Sequence, residues 1–436
     1  MMTYAVKKAG RLGATDVVAQ LTKEDRSQIR FANNTMTTLQ NWETEKLELF
    51  LSFSKRIVST SLDVITKKSV DDALANLAKL ARSAKPKEDF GGIAAGPFKY
   101  KKIAGNYDRK ILNCDMADRA EAAINAALKR SQKTAGVLYA GSQEVELATS
   151  GGVHASDRGT SIELSLRAFC AKDESGHSVS CSRTLSGFDP EAAGSKAALL
   201  AHQAKGPAEG VPGKYDVLFD PLAFADLTGL TASFASAFYV ESGFSFLGDK
   251  LGKVVASPAV SISDAGDLPG GFGTESFDGE GVPTQTTDII RRGALSTYLH
   301  NTSTAKKYLV KTTANAGLIN PSPHNVVLQP GNRSKDNIVS EIRNGLYITN
   351  VWYTRFQNYK TGDFSTIPRD AILVIRNGEV VGSVKNLRIT ENLEALLKKV
   401  TAVSNRPEWV HWWEVQTPVY LPYVLAENVN ITKPTM

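Results

Sequence analysis

The sequence is poor in the residues that build disulfide frameworks and zinc ribbons. Its 436 residues include three cysteines, Cys114, Cys170 and Cys181, with no C-x-x-C spacing among them. An odd number of widely spaced cysteines in a long chain argues against both kinds of scaffold. Because cysteine is among the residue types most often buried, we expect all three to be buried free thiols.

Histidine is also scarce, and the six histidines lie far apart, with no two within five residues of each other. A helical zinc site needs two ligands about three to five residues apart, so no H-E-x-x-H motif can be written. A zinc site built from distant residues stays open as the less favoured alternative. The sequence also lacks a G-x-S-x-G elbow and a P-loop, and no serine or threonine has a base and an orienting residue at a recognisable spacing.

Long apolar runs are missing as well. The apolar stretches are interrupted by charged residues well before the roughly 18 to 20 residues that a membrane span needs. The N-terminal residues show no apolar core of a signal peptide, so we expect a cytoplasmic protein that does not cross a membrane. The net charge of +6 comes from 51 basic and 45 acidic residues without a long basic run, which argues against a nucleic-acid partner.

The residues that are present predict an α+β fold. The run "QIRFANNTMTTLQ" and the following "EKLELFLSFSKRIVSTSLDVIT" alternate with period two, which predicts an N-terminal antiparallel sheet. An amphipathic helix follows, and a capping box from Ser69 to Asp72 is expected to start it. A similar order of strands and helix recurs after residue 143, so the N-terminal part is interpreted as a weak internal duplication, with a coincidence of two common patterns as the open alternative.

A linker, "KGPAEGVPGK", separates this part from a second part with a different pattern. Short strands punctuated by Gly, Pro and Asn dominate the sequence after it. We therefore predict two domains: an N-terminal α+β domain over residues 1–209, in which helices pack on the sheet, and a C-terminal β-rich domain over residues 210–436.

The segment "DPLAFADLTGLTASFASAFYVESG" predicts one capped helix over residues 220–243. Asp220 suits the N-cap, Pro221 suits the first helical position, and Gly243 can close the far end. Large apolar residues repeat at helical spacing on one side, and the remaining positions are mostly small. The helix is therefore expected to pack one apolar stripe on a sheet and to carry almost nothing that can do chemistry.

Two loops and a tryptophan cluster are the other candidate functional segments. The glycine-rich loop from Gly266 to Gly281 is expected to be mobile and solvated, with hard-cation binding by the carboxylates of Glu275, Asp278 and Glu280 as the less favoured alternative. The segment from Thr361 to Ser365 is either a turn plugged by Phe364 or a surface that contacts substrate. The tryptophans at 409, 412 and 413 favour packing at a core edge over a ligand cage.

Four stretches, taken together, are similar to the TldD and PmbA (TldE) family, whose members are also labelled modulators of DNA gyrase. They occur in the family's order and span nearly the whole chain. They are "IRFANNTM", "SFDGEGVPTQTTDIIRRGALSTYLHNTSTAKKY", "TGDFS" and "VIRNGEVVGSVKNLRITENL".

The resemblance implies a dimerising subunit and, in the TldD branch, zinc-dependent cleavage of unfolded or leader peptides in a closed chamber. That branch carries H-E-x-x-x-H on a helix upstream of a sequence like "GKVVASP", together with a late cysteine ligand. Here "GKVVASP" stands at Gly252–Pro258, but the helix before it has no histidine and no cysteine follows Cys181. None of the three metal ligands can be carried over, which places the chain nearer the PmbA/TldE branch.

The hypothesis from the sequence is therefore a non-catalytic PmbA/TldE-like subunit of a TldD/TldE-type zinc metalloprotease, acting in proteolysis and peptide maturation. We expect no catalytic residue and no cofactor in this chain, with zinc in a TldD-like partner. Thr361, Gly362, Asp363, Phe364 and Ser365 are expected to line the substrate chamber. The alternative is a homodimeric peptide-binding or scaffold protein without a protease role.

Overall fold

The computed structural model describes residues 1–434, and its N-terminal part is built on a six-stranded antiparallel sheet. The strands follow the order β3-β2-β1-β4-β5-β6 across this sheet. Their bounds are β1 (Asp16–Ala32), β2 (Thr35–Phe53), β3 (Arg56–Leu62), β4 (Lys133–Thr149), β5 (His154–Ala171) and β6 (Glu174–Ser182).

The duplication predicted from the sequence is present in the order of the elements. A helix, three strands and a second helix occur twice, and the first strands of the two units, β1 and β4, pair at the centre of the sheet. In the first unit, the second helix is capped by Thr66 rather than by Ser69. The Thr66 side chain accepts a hydrogen bond from the Ser69 N–H. The helices are α1 (Met2–Arg11), α2 (Lys67–Ser83), α3 (Arg109–Leu112), α4 (Met116–Leu128), a 3-10 turn (Leu185–Gly187) and α5 (Pro190–Gln203).

The two faces of this sheet have opposite character because side chains alternate along each strand. On one face, the odd-numbered residues of β1 from Val17 to Leu21 and the even-numbered residues of β5 from Thr160 to Cys170 are buried, and Leu21 and Leu164 pack under the helices. The other face carries mainly polar side chains over the middle of β1, β4 and β5. That polar face looks toward the C-terminal part of the chain.

An irregular segment, residues 84–108, ties the two parts together, and we call it the strap. Its Gly91 N–H donates to Ser303 Oγ at 2.9 Å, and its Ala94 N–H donates to Glu280 Oε2 at 3.1 Å. Both acceptors belong to the C-terminal part, so the strap holds one end of the polar sheet face against it.

The C-terminal part contains two sheets, of six and ten strands. The six-stranded sheet has the order β11-β10-β9-β12-β21-β20. The larger sheet has the order β14-β15-β18-β22-β8-β13-β16-β17-β7, and β19 also pairs with β22. The strands are β7 (Ala208–Glu209), β8 (Gly213–Phe219), β9 (Ile262–Ala265), β10 (Thr286–Arg291), β11 (Ala294–Leu295), β12 (Val326–Leu328), β13 (Asn344–Ile348), β14 (Val351–Asn358), β15 (Asp363–Pro368), β16 (Ile372–Arg376), β17 (Glu379–Lys385), β18 (Arg388–Asn392), β19 (Val400–Val403), β20 (Glu408–Trp412), β21 (Val415–Leu421) and β22 (Val424–Thr432).

The expected long helix is divided into two. Asp220 caps it as predicted, accepting from the Leu222 N–H at 3.1 Å, but the first helix ends at Phe234 and a short second one follows. The first helix contacts strands of both C-terminal sheets and is buried on nearly all sides, so the prediction of a single apolar stripe was wrong. The C-terminal helices are α6 (Pro221–Phe234), α7 (Ala237–Glu241), α8 (Thr302–Tyr308), α9 (Lys335–Val339) and α10 (Leu393–Lys398).

The α+β class, with an antiparallel N-terminal sheet and a β-rich C-terminal half, is confirmed. The division of the chain at residues 209 and 210 remains a prediction. Among the helices of residues 1–434, none combines the length and the apolarity that a membrane crossing requires.

Candidate functional site

A groove runs along the polar face of the N-terminal sheet, and we call it the central groove. Its opposite wall is formed by the hairpin of β20 and β21 and by residues 272–279. It consists of three adjoining cavities of about 670, 370 and 90 Å³. The first two share Arg26 and His411, and the last two share Gln143 and Arg183, so the groove is continuous.

The floor of the groove follows directly from the strand register. Arg26 pairs with Gly141, and Gly141 pairs with Ser161, so alternate residues of the three central strands point into the same space. Ten of these fourteen residues are polar, six of them uncharged and four charged, and they offer hydrogen-bonding groups along the length of the groove. The fourteen are Gln20, Thr22, Glu24 and Arg26 of β1, Val137, Tyr139, Gly141, Gln143 and Val145 of β4, and Asp157, Gly159, Ser161, Glu163 and Ser165 of β5.

The widest part of the groove is aromatic and basic. The rings of Trp42 and Tyr139 meet edge to face with centroids 6.4 Å apart, and the Arg26 guanidinium lies 5.1 Å from the Tyr139 centroid. Trp412 is buried, in agreement with the predicted core-edge packing, but Trp413 is 56% exposed and lines the groove. This end can accept an apolar or aromatic side chain.

A charged contact joins the floor to the opposite wall. The Glu163 carboxylate lies 3.5 Å from Arg26 Nη2 and also bonds His411 Nδ1 on β20. The His411 ring packs against Phe272, with centroids 4.8 Å apart. A contact between the two halves of the chain therefore lies where the wide and middle parts of the groove meet.

Arg183 lies where the middle and narrow parts of the groove meet. Its guanidinium donates to the backbone carbonyls of Thr274, at 2.6 Å, and Gly271, at 3.4 Å, and its burial lowers its pKa. A Cβ atom at Gly159 would stand 2.2 Å from Arg183 Nη1, so the glycine leaves room for the guanidinium. Arg183 thus ties the wall loop to the floor.

A serine and a histidine meet at the wide end, although no such pair was predicted. Ser165 Oγ lies 2.8 Å from His177 Nε2, and the Asn350 amide nitrogen lies 2.9 Å from His177 Nδ1. The same amide nitrogen donates to Asp370 Oδ2, while Asn350 Oδ1 accepts from the Val351 N–H. The orientation of the amide makes His177 Nδ1 an acceptor, so Nε2 carries the proton and donates to Ser165.

The direction of this hydrogen bond is opposite to the one that a nucleophilic serine requires, because a general base must accept the hydroxyl proton. Burial also lowers the pKa of His177 to about 4, which keeps the ring neutral. Asp370 accepts two hydrogen bonds from Arg167 and one from Ser175. Its burial opposes ionisation, but the Arg167 charge and these bonds outweigh burial and hold its pKa below the usual value. The network therefore joins β5 and β6 to the C-terminal part.

The glycine-rich loop from Gly266 to Gly281 is not the solvated acidic loop that was expected. Asp278 is 2% exposed and accepts hydrogen bonds from three backbone N–H groups at 2.9 Å, including that of Ala316. Burial raises its pKa to about 6. Glu280, which holds the strap, is also buried, and burial together with Asp278 raises its pKa to about 7. The buried carboxylate of Asp278 thus holds the backbone of the loop in place, and that of Glu280 holds the strap.

The helix α6 does not offer a set of ligands for zinc. Asp226 is its only carboxylate, and it carries no histidine or cysteine. Asp226 is 8% exposed, burial raises its pKa to about 6, and its Oδ2 has no hydrogen-bond partner within residues 1–434. Structural and catalytic zinc sites use at least three protein ligands, and residues 1–434 contain no group of three or more His, Cys, Asp or Glu suited to a metal ion.

The segment from Thr361 to Ser365 comprises the end of the turn between β14 and β15 and the first three residues of β15. Phe364 is fully buried 5.9 Å from the Phe356 ring, which agrees with the hydrophobic plug. Gly362 has a φ of +85° and a Cβ atom there would touch Phe246, so the turn favours glycine. Thr361 and Asp363 are exposed. The central groove, as residues 1–434 define it, is lined by none of the five, and their role in a substrate chamber stays a prediction.

Two family models match the chain in order. Residues 106–205 match the PmbA/TldA metallopeptidase central domain, and residues 212–433 match the C-terminal domain of the same family. This chain belongs to the PmbA/TldD family of metallopeptidase-like proteins. The resemblance drawn from the sequence is thereby confirmed.

Among curated proteins, the chain is 31% identical over 222 residues to a metalloprotease of Methanothermobacter thermautotrophicus, which covers 49% of this chain and 46% of that protein. It is 30% identical over 199 residues to metalloprotease PmbA of Escherichia coli O157:H7, covering 44% of this chain and 43% of that protein. The chain thus spans a little under half the length of these curated relatives.

Solved structures with the same fold align over nearly the whole chain. TldE from Thermococcus kodakarensis aligns with a TM-score of 0.88 at 20% identity, over 99% of both chains. A Thermotoga maritima protein described as a modulator of a DNA gyrase aligns with a TM-score of 0.85 at 24% identity, again over 99% of both chains. At these identities the likeness establishes the fold alone.

Proposed function

We propose that this chain is a non-catalytic, PmbA/TldE-like subunit of a heteromeric metallopeptidase, and that it holds extended peptide while a TldD-like partner supplies zinc. The observation that carries the proposal is the central groove, an open channel with a floor of polar side chains. Unfolded or leader peptides are the proposed substrates of the assembly, which acts in proteolysis and peptide maturation in the cytoplasm.

The size and lining of the groove support a peptide ligand. Its widest cavity, of about 670 Å³, lies within the range of ligand sites. The polar floor can bond a peptide main chain, whose groups are the same in every sequence, and the aromatic end can take one larger side chain. Recognition of this kind suits a peptidase that accepts many sequences.

The residues of α6 support the assignment of catalysis to the partner subunit. Hydrolysis at a zinc centre needs a metal held by several side chains, with an open position for water. The single carboxylate of Asp226 does not provide such a set, so we assign the bond cleavage to the partner. The exposed residues Thr361 and Asp363 are proposed to face the chamber shared with that partner.

The test is co-expression of the chain with a TldD-like subunit, followed by purification and hydrolysis of an unfolded protein such as casein. We expect a stable complex that cleaves casein faster than the partner alone. Gln416→Trp, which narrows the groove from an exposed position on β21, should reduce this stimulation, and Thr401→Trp, at the exposed position of β19, should not.

Failure to form a complex, together with no cleavage above that of the partner alone, would contradict the proposal. Stoichiometric zinc in the isolated chain would contradict it as well. Peptide binding by a homodimer that ignores every TldD-like partner would favour the alternative role, that of a peptide-binding scaffold.

A further inference from the structure

The outer edge of β2 is free along the first part of the strand. β2 pairs with β1 over its whole length, but β3 pairs with it only from Leu47 to Phe53. The preceding residues, Thr35–Lys46, have no strand on their outer side among the described residues. They contain no proline, and at about 3.4 Å per residue they expose an edge roughly 40 Å long.

The register identifies the backbone groups at this edge. The two-residue turn of residues 54–55 joins Phe53 to Arg56, and residues that flank such a turn exchange hydrogen bonds. The N–H and C=O groups of Phe53 therefore point toward β3. Because this direction alternates along a strand, the groups of Leu39 and Asn41 point to the same side, where no described strand accepts them.

The side chains of β2 alternate between the groove and the opposite face of the sheet. Trp42 pairs in register with Arg26 and lines the widest part of the central groove. Leu39 belongs to the opposite set and is 67% exposed. A strand added to this edge would consequently direct every second side chain toward the cavity beside Trp42.

We propose that an extended peptide binds by adding a strand to the free edge of β2, with an aromatic or large apolar side chain seated beside Trp42 and Tyr139. The inference rests on the proposed peptide-holding function and specifies where the peptide lies. The unpaired main-chain groups supply the hydrogen bonds, and the cavity beside them selects the side chain.

A second copy of this chain is the other occupant that could pair with the edge, but it fills the cavity less well. In an antiparallel pair of two β2 strands, the groove-facing residues of the copy would come from the same strand. Apart from Trp42 itself, these are short or polar, such as Thr38 and Gln40. A peptide of different sequence can place a larger side chain at this point, and it therefore fills the cavity better than a second copy does.

The first experiment measures binding to a fluorescein-labelled decapeptide of alternating Thr and Val with one central Phe. Two isomers carry N-methyl groups on alternate amides, one set on each edge of the extended peptide. Strand addition uses only one edge, so one isomer should bind at least tenfold more weakly and the other within about threefold of the parent. Equal weakening of both isomers, or of neither, overturns the inference.

The second experiment changes the protein. Asn41→Pro removes an outward N–H of β2 and leaves the ladder with β1 intact, and we expect at least a tenfold loss of peptide affinity. Ser61→Pro, at an exposed position on the outer edge of β3, is the matched control and should leave the affinity unchanged. Trp42→Ala should also weaken binding, whereas Leu39→Ala, on the other face, should not; thermal unfolding verifies that all four variants fold.

These results separate the inference from the proposed function. If the complex binds and cleaves peptide but is indifferent to Asn41→Pro, the inference fails and the function stands. If neither the chain nor the complex binds any peptide, both fail. If Asn41→Pro converts a dimer to a monomer without changing peptide affinity, a second copy occupies the edge and the inference is overturned.

Discussion

Two buried aspartates, Asp370 and Asp226, show how strongly the surroundings determine what a carboxylate does. Asp370 accepts hydrogen bonds from Arg167, Ser175 and Asn350, and its pKa is held below the usual value. Asp226 lies in an apolar helix with one oxygen unpaired, and its pKa is raised to about 6. The first aspartate stabilises the joined halves, and the second costs stability near neutral pH.

The two aspartates also differ in how completely their oxygens are hydrogen-bonded. Within residues 1–434, no side-chain atom of Asp370, Asn350 or His177 is buried without a hydrogen-bond partner, so the network serves as a structural link. At Asp226, by contrast, the charge of Arg355 only partly offsets the effect of burial on the pKa, and Oδ2 has no hydrogen-bond partner within residues 1–434. Changes at these two sites should therefore act in opposite directions on stability.

The largest effect is expected for Asp370→Ala. This change leaves the Arg167 guanidinium, Ser175 and Asn350 without their common acceptor, and breaking a buried ion pair from one side costs about 3 kcal/mol or more. Urea unfolding followed by fluorescence measures the loss. The same change in an Arg167→Ala background should cost much less; an equal cost in both backgrounds would show that the ion pair is not responsible.

A somewhat smaller effect concerns His177 and pH. Its folded-state pKa of about 4 lies below the ordinary 6.5, so the unfolded chain takes up the proton first and stability falls as the pH drops from 6.5 to 4. At about 1.4 kcal/mol per pKa unit, the loss approaches 3 kcal/mol. His177→Gln, which keeps a donor and an acceptor, should flatten this part of the stability profile. An unchanged slope in the variant would rule out His177 as its source.

The smallest effect is a gain from Asp226→Asn. The folded-state pKa of about 6 exceeds the ordinary 3.8, so the charged carboxylate costs stability increasingly as the pH rises from about 4 to 6, and fully above it. The variant should be more stable by about 1 to 3 kcal/mol at pH 7, and the gain should vanish below pH 4. Asp220→Asn is the control at the start of the same helix and should be destabilising, because Tyr347 and Lys196 bond that carboxylate.

Much of the fold could be predicted from local signals. Period-two runs and the turn at Asn33 and Asn34 indicated the N-terminal strands, and both turn residues adopt the positive φ that a tight hairpin requires. Asp220 and Pro221 marked the start of α6. The end of that helix could not be read, because Ala235 and Ser236 carry no strong stop signal and the break depends on packing between two sheets.

The site was less accessible from the sequence, because its residues are distant along the chain. Ser165 and His177 are separated by one hairpin, but the Asn350 that fixes the ring lies 173 residues beyond the histidine. The burial of Asp278 similarly depends on the backbone at Ala316. Asp226 is the exception, because it is visible in the sequence as the one acidic residue among the apolar and small residues of α6.

The ties at the two ends of the central groove have an entropic consequence. Arg183 and the strap fix one end, and the Asp370 network fixes the other, so the walls are already ordered when the chain has folded. A ligand that enters loses its own conformational freedom but does not have to immobilise the protein. Loosening either tie should thus weaken binding mainly through a less favourable entropy, while the contacts themselves are retained.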